Sequence, residues 1–291
     1  MVVVASTPGD AGGELVWTSW ELGGGGAPFS RLPINQFHAT DVAPAVSFRN
    51  TEGGSSMWLG VVDAGDGSIF GMLLSLDGSP ESSWVKIPGL QTRAAMAVNT
   101  QPSVSTMVAL AQPPDDRLRY TTYLNDQPPA DPPGDYWRDV TPYALTAFAP
   151  AAAAVDEGNY LFIAVTAIDL SEPNGRLMLN QGTLDAQSFV GYQPLGFASN
   201  IAPAMASAGN RTIVAAADPN GVISYTWWDL GSAGQGWTQL GSDITTDTAP
   251  AVVLVDNGDY MFVVARGQDG DLHINQGGVT NASIVGWQPM H

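Results

Sequence analysis

The chain of 291 residues has no cysteine and a formal net charge of −18, with only ten basic residues. The lack of cysteine excludes disulfides and thiolate metal sites, and the scarcity of basic residues argues against a nucleic-acid partner. Anionic membranes are disfavoured for the same reason, and no run reaches the roughly 18 apolar residues of a membrane helix, so we expect no membrane insertion.

The first ten residues, MVVVASTPGD, lack the basic segment of a secretory signal, and their apolar run is too short for one. The sequence therefore leaves the compartment open: we expect a cytoplasmic protein, one exported by another route, or a chain whose leader lies upstream of Met1.

Short apolar runs bounded by glycine and proline follow one another along the chain. Examples are MWLGVV (57–62), YLFIAV (160–165) and YMFVVA (260–265). Such runs are typical of β-strands, and the Asp-Gly or Asn-Gly pairs behind several of them favour tight hairpin turns. No long helical period is present, so the chain is predicted to be all-β.

The phrase Ala-Pro-Ala before an apolar run recurs, and its central residue lies at positions 44, 95, 150, 203 and 250, with a degenerate copy at 95. Repeats of this length are typical of four-stranded propeller blades. Residues 17–33 align without a gap on residues 225–241, which adds a partial first repeat. These repeats predict one domain, a six-bladed β-propeller of 23 antiparallel strands whose first blade lacks its innermost strand. The predicted blades are 1–41, 42–92, 93–147, 148–200, 201–247 and 248–291.

Aromatic pairs occupy the third strand of repeats one, three and five, whereas repeats four and six carry Asn-Gln-Gly there. An aromatic ring covers the apolar face of a sugar and amides bond its hydroxyls, and repeated weak sites gain avidity. The opposing interpretation is that the aromatics pack between blades and that Gly182 and Gly277 supply a positive φ in a turn. The predicted binding residues are Trp17, Trp20, Tyr120, Tyr123, Tyr225 and Trp228 for stacking, Asn180, Gln181, Asn275 and Gln276 for hydroxyls, and Tyr192 and Trp287 beside them.

Other chemistry finds little support in the sequence. The turns DAGDGS (63–68) and GQDGDL (267–272) lack the calcium-loop pattern, and His38, His273 and His291 form no zinc motif, so no metal or cofactor is expected. A glycosidase needs two single-copy carboxylates; the candidates are Glu14, Glu21 and Glu52, of which Glu21 aligns with the repeated Asp229. A non-catalytic scaffold for protein interaction and, after it, a propeller glycoside hydrolase or lyase stay open as alternatives.

The stretches VVARGQDGDLHINQGG (263–278) and YTWWDLGSAGQGWTQLG (225–241) resemble repeats of bacterial and fungal β-propeller lectins. These are the Photorhabdus-type fucose-binding lectins and the related tectonin-like and mushroom propeller lectins. The resemblance implies a non-catalytic, multivalent protein that binds glycans between adjacent blades. It leaves the sugar and any homo-oligomer undetermined.

Overall fold

The computed structural model describes residues 2–7, 14–19, 27–32, 40–51, 54–100, 104–110, 117–124, 137–168, 174–184 and 188–290. These residues form six antiparallel sheets, which group into two compact units, Met1–Tyr143 and Ala144–His291. Within the described ranges, no helix is long and apolar enough to cross a membrane.

The first unit contains three sheets, in which the strands follow one another in chain order. Sheet 1 has three strands: β1 (Val2–Ser6), β2 (Leu15–Ser19) and β3 (Ser30–Arg31). Sheet 2 has β4 (Ala45–Thr51), β5 (Gly54–Val62), β6 (Ser68–Ser75) and β7 (Val85–Gln91). Sheet 3 has β8 (Ala97–Thr100), β9 (Val104–Leu110), β10 (Leu118–Leu124) and β11 (Arg138–Asp139).

The second unit repeats this meander three times. Sheet 4 has β12 (Ala151–Val155), β13 (Tyr160–Ala167), β14 (Gly175–Thr183), β15 (Ser188–Phe189) and β16 (Gln193–Ser199). Sheet 5 has β17 (Ala204–Ala208), β18 (Arg211–Ala217), β19 (Ile223–Asp229) and β20 (Thr238–Gln239). Sheet 6 has β21 (Ala251–Val255), β22 (Tyr260–Arg266), β23 (Leu272–Gly278) and β24 (Gln288–Pro289). Short turns whose residues have positive φ, Asp156–Gly158 and Asp256–Gly258, follow the first strands of sheets 4 and 6.

The all-β prediction is confirmed, and so is the three-stranded first sheet. The pairing of β1 with β2 corresponds to the pairing of the second strand with the third in the other sheets. In sheet 1, β1 and β2 therefore take the places of the second and third strands of a complete repeat. The strand count differs by one from the predicted 23, because the outer strand of sheet 4 is broken into β15 and β16, which both pair with β14.

The predicted alignment of the first repeat on the fifth is visible in the hydrogen bonds. The Thr18 hydroxyl donates to the carbonyl of Ala27, and the Thr226 hydroxyl donates to the carbonyl of Gln235 at 2.6 Å. Each threonine lies on a third strand, and each acceptor lies nine residues further along the chain. The two repeats therefore share their local structure as well as their residue pattern.

A second repeated device joins each sheet to the next and was missed in the sequence. A buried hydroxyl lies four residues before the recurring proline. Its oxygen accepts a backbone N–H, and its O–H donates to a backbone carbonyl of the same turn. This local bonding satisfies backbone groups that the chain would otherwise bury unpaired. The hydroxyls belong to Thr40, Thr146, Ser199 and Thr246, and Thr92 forms the same turn ahead of the degenerate copy.

In the packing of sheet 2, a large side chain fills the space left by glycines that have no side chain of their own. The Trp58 ring is 6% exposed and occupies the space where a Cβ would project from Gly60 or Gly71, because such atoms would lie 2.3 and 2.1 Å from the ring. Each glycine thus permits close approach of an aromatic ring. We call the contact between two consecutive sheets of one unit a seam.

Candidate functional site

Three of the aromatic residues predicted to stack on a ligand are part of the core. Tyr120, Tyr225 and Trp228 are 2%, 1% and 6% exposed. The Tyr225 hydroxyl donates to the carbonyl of Val279 at 3.1 Å. A sugar would reach these rings only if the core opened. Trp20 lies outside the described residues, as does the side chain of Tyr123.

The predicted pairs also divide between the two faces of a sheet. Tyr225 packs in the seam of sheets 5 and 6, in the cluster that includes Met261. Trp228 packs in the seam of sheets 4 and 5, edge-on to Phe162 at 5.5 Å between ring centroids. Positions three apart in a strand point to opposite faces, so such a pair does not line one pocket.

The asparagines of the repeated phrase have a structural role. Asn180 and Asn275 are 0% and 1% exposed. Their side-chain oxygens accept the backbone N–H of Gly191 at 3.0 Å and of Gly286 at 3.2 Å. Both glycines have a positive φ, 111° and 103°. Each asparagine therefore ties the segment before the outer strand to the third strand.

The glutamines that follow point the other way, because successive residues of a strand alternate. Gln181 is exposed, whereas Gln276 is half-buried and its Oε1 has no partner among the described residues. The opposing interpretation, that Gly182 and Gly277 supply a positive φ in a turn, does not hold, since both lie in strands with ordinary φ. A Cβ there would lie 2.6 and 2.4 Å from a carbonyl oxygen of the neighbouring segment, so these glycines serve close backbone approach.

Outer-strand tryptophans close two seams. Trp137 Nε1 donates to the carbonyl of Pro88, and Trp237 Nε1 donates to the carbonyl of Leu195, both at 2.9 Å. Each acceptor precedes a glycine of positive φ in the previous sheet. Phe197 also stacks on Trp237, with 4.1 Å between ring centroids. In both seams the indole N–H is already used.

The seam of sheets 5 and 6 is different. The equivalent acceptor, the carbonyl of Leu240 before Gly241, receives Asn275 Nδ2 at 2.7 Å. Trp287 Nε1 is buried and has no hydrogen-bond partner in the described part of the chain. It lies 3.9 Å from the position that a Gly241 Cβ would take, and Asp243 Oδ2 lies 3.9 Å from the same point. An unused indole N–H and a carboxylate therefore flank a residue without a side chain.

His273 adds a third polar group to this face. It pairs with Pro289 across the sheet, and opposed residues share a face. Pro289 lies two residues after Trp287 in the chain. His273 Nε2 lies 3.1 Å from Asp269 Oδ2. The backbone N–H of Asp271, followed by the His273 ring, lowers the pKa of Asp269, although slight burial opposes the shift. We call Trp287, Gly241, Asp243, His273 and Asp269 the Trp287 groove.

The remaining candidates carry less chemistry. Burial raises the pKa of Tyr192 to about 12, and the Asn180 side chain opposes this only in part. Trp17 is half-buried, with its ring 2.9 Å from where a Gly78 Cβ would lie. A polar cavity of about 330 Å³ lies beside the 63–67 turn, where Asp63 Oδ1 accepts the N–H of Gly65, as in an ordinary hairpin turn. Among the described residues, no three His, Asp or Glu side chains are grouped as metal ligands.

Comparison with known proteins gives a likeness of structure only. No protein-family model matches the chain, and no curated protein sequence matches it. BP39L lectin from Burkholderia pseudomallei superposes with a TM-score of 0.63 at 16% identity, over 97% of this chain and 78% of that one. Aleuria aurantia lectin bound to α-methyl-L-fucoside gives 0.62 at 12% identity, over 100% and 94%. A second structure of that lectin, described as a six-bladed β-propeller with a novel fucose recognition mode, gives 0.60 at 12% identity, over 100% and 94%.

The fold is a six-bladed β-propeller. The six sheets are its blades, and the predicted fold class is confirmed. The Trp287 groove therefore lies between two adjacent blades, the fifth and the sixth, both in the second unit. Sequence analysis named Trp287 as a candidate but missed Asp243 and His273, which are not repeated. It also missed Gly241, whose counterparts Gly89 and Gly196 recur at the same place in other blades.

Proposed function

We propose that this propeller is a non-catalytic, multivalent lectin that binds carbohydrate between neighbouring blades. One observation carries the proposal: Trp287 has an unused indole N–H beside the carboxylate of Asp243 and the bare backbone of Gly241. The lectins with the same fold support it, since two of the three structures compared above are described by their binding of fucose or a fucoside.

The groove has the chemistry of a sugar site. The indole plane covers an apolar C–H face, its N–H donates to a hydroxyl oxygen, and the carboxylates of Asp243 and Asp269 accept hydroxyl protons. A buried donor without a partner costs about 1–3 kcal/mol, and a ligand hydroxyl removes that cost. Because Trp287 Nε1 is buried, the hydroxyl reaches it after a small movement of the ring.

Charge selects among sugars. The chain carries a net charge of −18, and the two carboxylates of the groove add a local negative potential. Neutral glycans are therefore favoured over sialylated or sulfated ones. Fucosides are the natural first probes, in view of the ligands of the similar lectins.

Further sites would supply the avidity. Besides Trp287, the predicted residues with described side chains that are at least partly exposed are Trp17, Gln181, Tyr192 and Gln276. Each is the candidate centre of an additional site. Tyr120, Tyr225, Trp228, Asn180 and Asn275 would then support the sites from the core instead of touching the sugar.

A glycan array followed by calorimetry tests the proposal. We expect binding to neutral glycans, and Trp287→Phe, which keeps the ring but loses the N–H, should weaken or abolish one class of sites by about 5- to 100-fold. Its melting temperature should fall less than that of a variant that also loses an indole hydrogen bond, since only packing against the core is reduced.

Trp237→Phe is the matched control. It removes an indole N–H that already bonds to Leu195, so it should lower the melting temperature and leave sugar binding unchanged. If no glycan binds the wild-type protein, the lectin proposal is wrong and a protein-interaction scaffold becomes the better interpretation. If glycans bind but Trp287→Phe has no effect, the lectin proposal stands and the groove is not a site.

A further inference from the structure

The first blade presents an unpaired strand edge. Its sheet has the order β1-β2-β3, and in the described residues no strand pairs with the other edge of β1. Every other blade begins with a strand that pairs antiparallel to its second strand: β4, β8, β12, β17 and β21. An open edge offers a row of backbone donors and acceptors to another extended segment.

Phe48 on β4 faces the position of the missing strand. Ser47, its neighbour, accepts the N–H of Thr100 from blade 3. Val46, on the other side, packs against a cluster that includes Leu15 of blade 1. Side chains alternate along a strand, so Phe48 points toward blade 1 as Val46 does. It is 40% exposed, which is unusual for so large an apolar side chain.

Equivalent positions in the other unit are covered. Phe48 pairs with Met57 as Leu254 pairs with Met261, yet Leu254 is only 6% exposed. Ser207 occupies the same position in blade 5, and its hydroxyl donates at 2.6 Å to the carbonyl of Ala154 on the innermost strand of blade 4. The innermost strand of the preceding blade thus covers this position, and the described part of blade 1 contains no such strand.

We propose that the β1 edge and Phe48 form a docking site for a short extended segment of a different protein. The segment pairs antiparallel with Val2–Ser6 and lays an aliphatic side chain on the Phe48 ring. The innermost strands of blades 4 to 6 give its chemistry: AAAAV, AMASA and AVVLV are small or aliphatic and uncharged. An uncharged, Ala- and Val-rich strand of about five residues is therefore the occupant.

A synthetic peptide tests this site. The probe is Ala-Pro-Ala-Val-Val-Leu-Val, which copies residues 249–255, with a polar Gly-Ser-Gln tail. With the peptide present, amide hydrogen exchange of Val2–Ser6 should slow and the melting temperature should rise. The control peptide replaces the central Val by Pro, which removes a backbone donor, and it should have neither effect. Sugar binding is not needed for any of these readouts.

Variants separate the outcomes. Phe48→Ser should weaken peptide binding about tenfold. The effect is read as the peptide-induced rise over the variant's own peptide-free melting temperature, because a ring that is 40% exposed also contributes to stability. No protection by the peptide, or equal protection by the proline control, would overturn the proposal. Protection of Val2–Ser6 that depends on protein concentration alone would show that a second copy pairs with the edge, and this too would overturn it.

Discussion

Asn275 donates its side-chain N–H to the carbonyl oxygen of Leu240 at 2.7 Å, across the seam of blades 5 and 6. In two other seams the equivalent carbonyl accepts the indole N–H of the next blade's tryptophan. The asparagine thus occupies the acceptor that Trp287 would otherwise use. The proposed sugar site therefore depends on a residue that is buried and does not touch the ligand.

Asn275→Ala should change both stability and the state of Trp287. The variant loses the bonds to Leu240 and to Gly286, so unfolding free energy should fall by about 1–3 kcal/mol. The freed carbonyl should then accept Trp287 Nε1–H and reduce sugar binding. The indole ¹H–¹⁵N resonance of Trp287 and thermal unfolding measure the two effects. Gln276→Ala, on the opposite face of the strand, is the control and should leave that resonance in place; an unmoved resonance in Asn275→Ala would contradict the mechanism.

The fold was predictable because its signals are repeated and local. Five copies of Ala-Pro-Ala or its degenerate form, with Asp-Gly turns, were enough for six blades and the incomplete first one. The alternation of faces was also within reach: it separates Tyr225 from Trp228 and Asn180 from Gln181 by strand period alone. These pairs were grouped by proximity in sequence, and the structure places their members on different faces.

The state of Trp287 could not be predicted in the same way. It depends on which donor reaches the Leu240 carbonyl, and that is decided by the path of the outer strand. In blades 2 and 4 the outer strands β7 and β16 are seven residues long and their register shifts, whereas β20 in blade 5 has two residues. Such shifts leave no distinct residue pattern, so sequence alone does not separate Trp237 from Trp287.

Two glycines of equal φ separate backbone strain from packing. Gly78 and Gly231 have φ of 82° and 81°. A Cβ added to Gly78 would lie 2.9 Å from the Trp17 ring, whereas a Cβ added to Gly231 would meet no atom within 4 Å. Alanine at either position should cost about 1–2 kcal/mol from the left-handed backbone. Gly78→Ala should cost more and change the fluorescence of Trp17, as seen in denaturant unfolding and emission spectra. Equal losses would show that Trp17 moves aside freely.

Arg211 should hold blades 5 and 6 together. It bonds to Asp229 at 2.8 Å and to Asp259 at 2.7 Å, and lies over the Trp227 ring at 4.6 Å. Arg211→Met should lower the unfolding free energy by about 1–3 kcal/mol, because charge-assisted bonds to two carboxylates are lost. Arg31→Met is the control: its pair with Glu14 is mostly exposed and should contribute only about 0–1 kcal/mol. Similar losses in the two variants would argue against this role for Arg211.

Asp139 should make the first unit sensitive to acid. Partial burial alone would raise the pKa of Asp139, but the Tyr143 hydroxyl and then Arg119 and Arg117 outweigh burial and hold it below the usual 3.8. A carboxyl with a depressed pKa in the folded state stabilises the fold above its unfolded pKa, and this contribution is lost as pH falls through the folded value. Asp139→Asn should therefore melt at a lower temperature than wild type at neutral pH. Below about pH 4 the difference should shrink as the wild-type carboxyl becomes protonated. Melting curves from pH 2 to 7 measure it, and a constant difference across that range would show that Asp139 contributes by packing and not by charge.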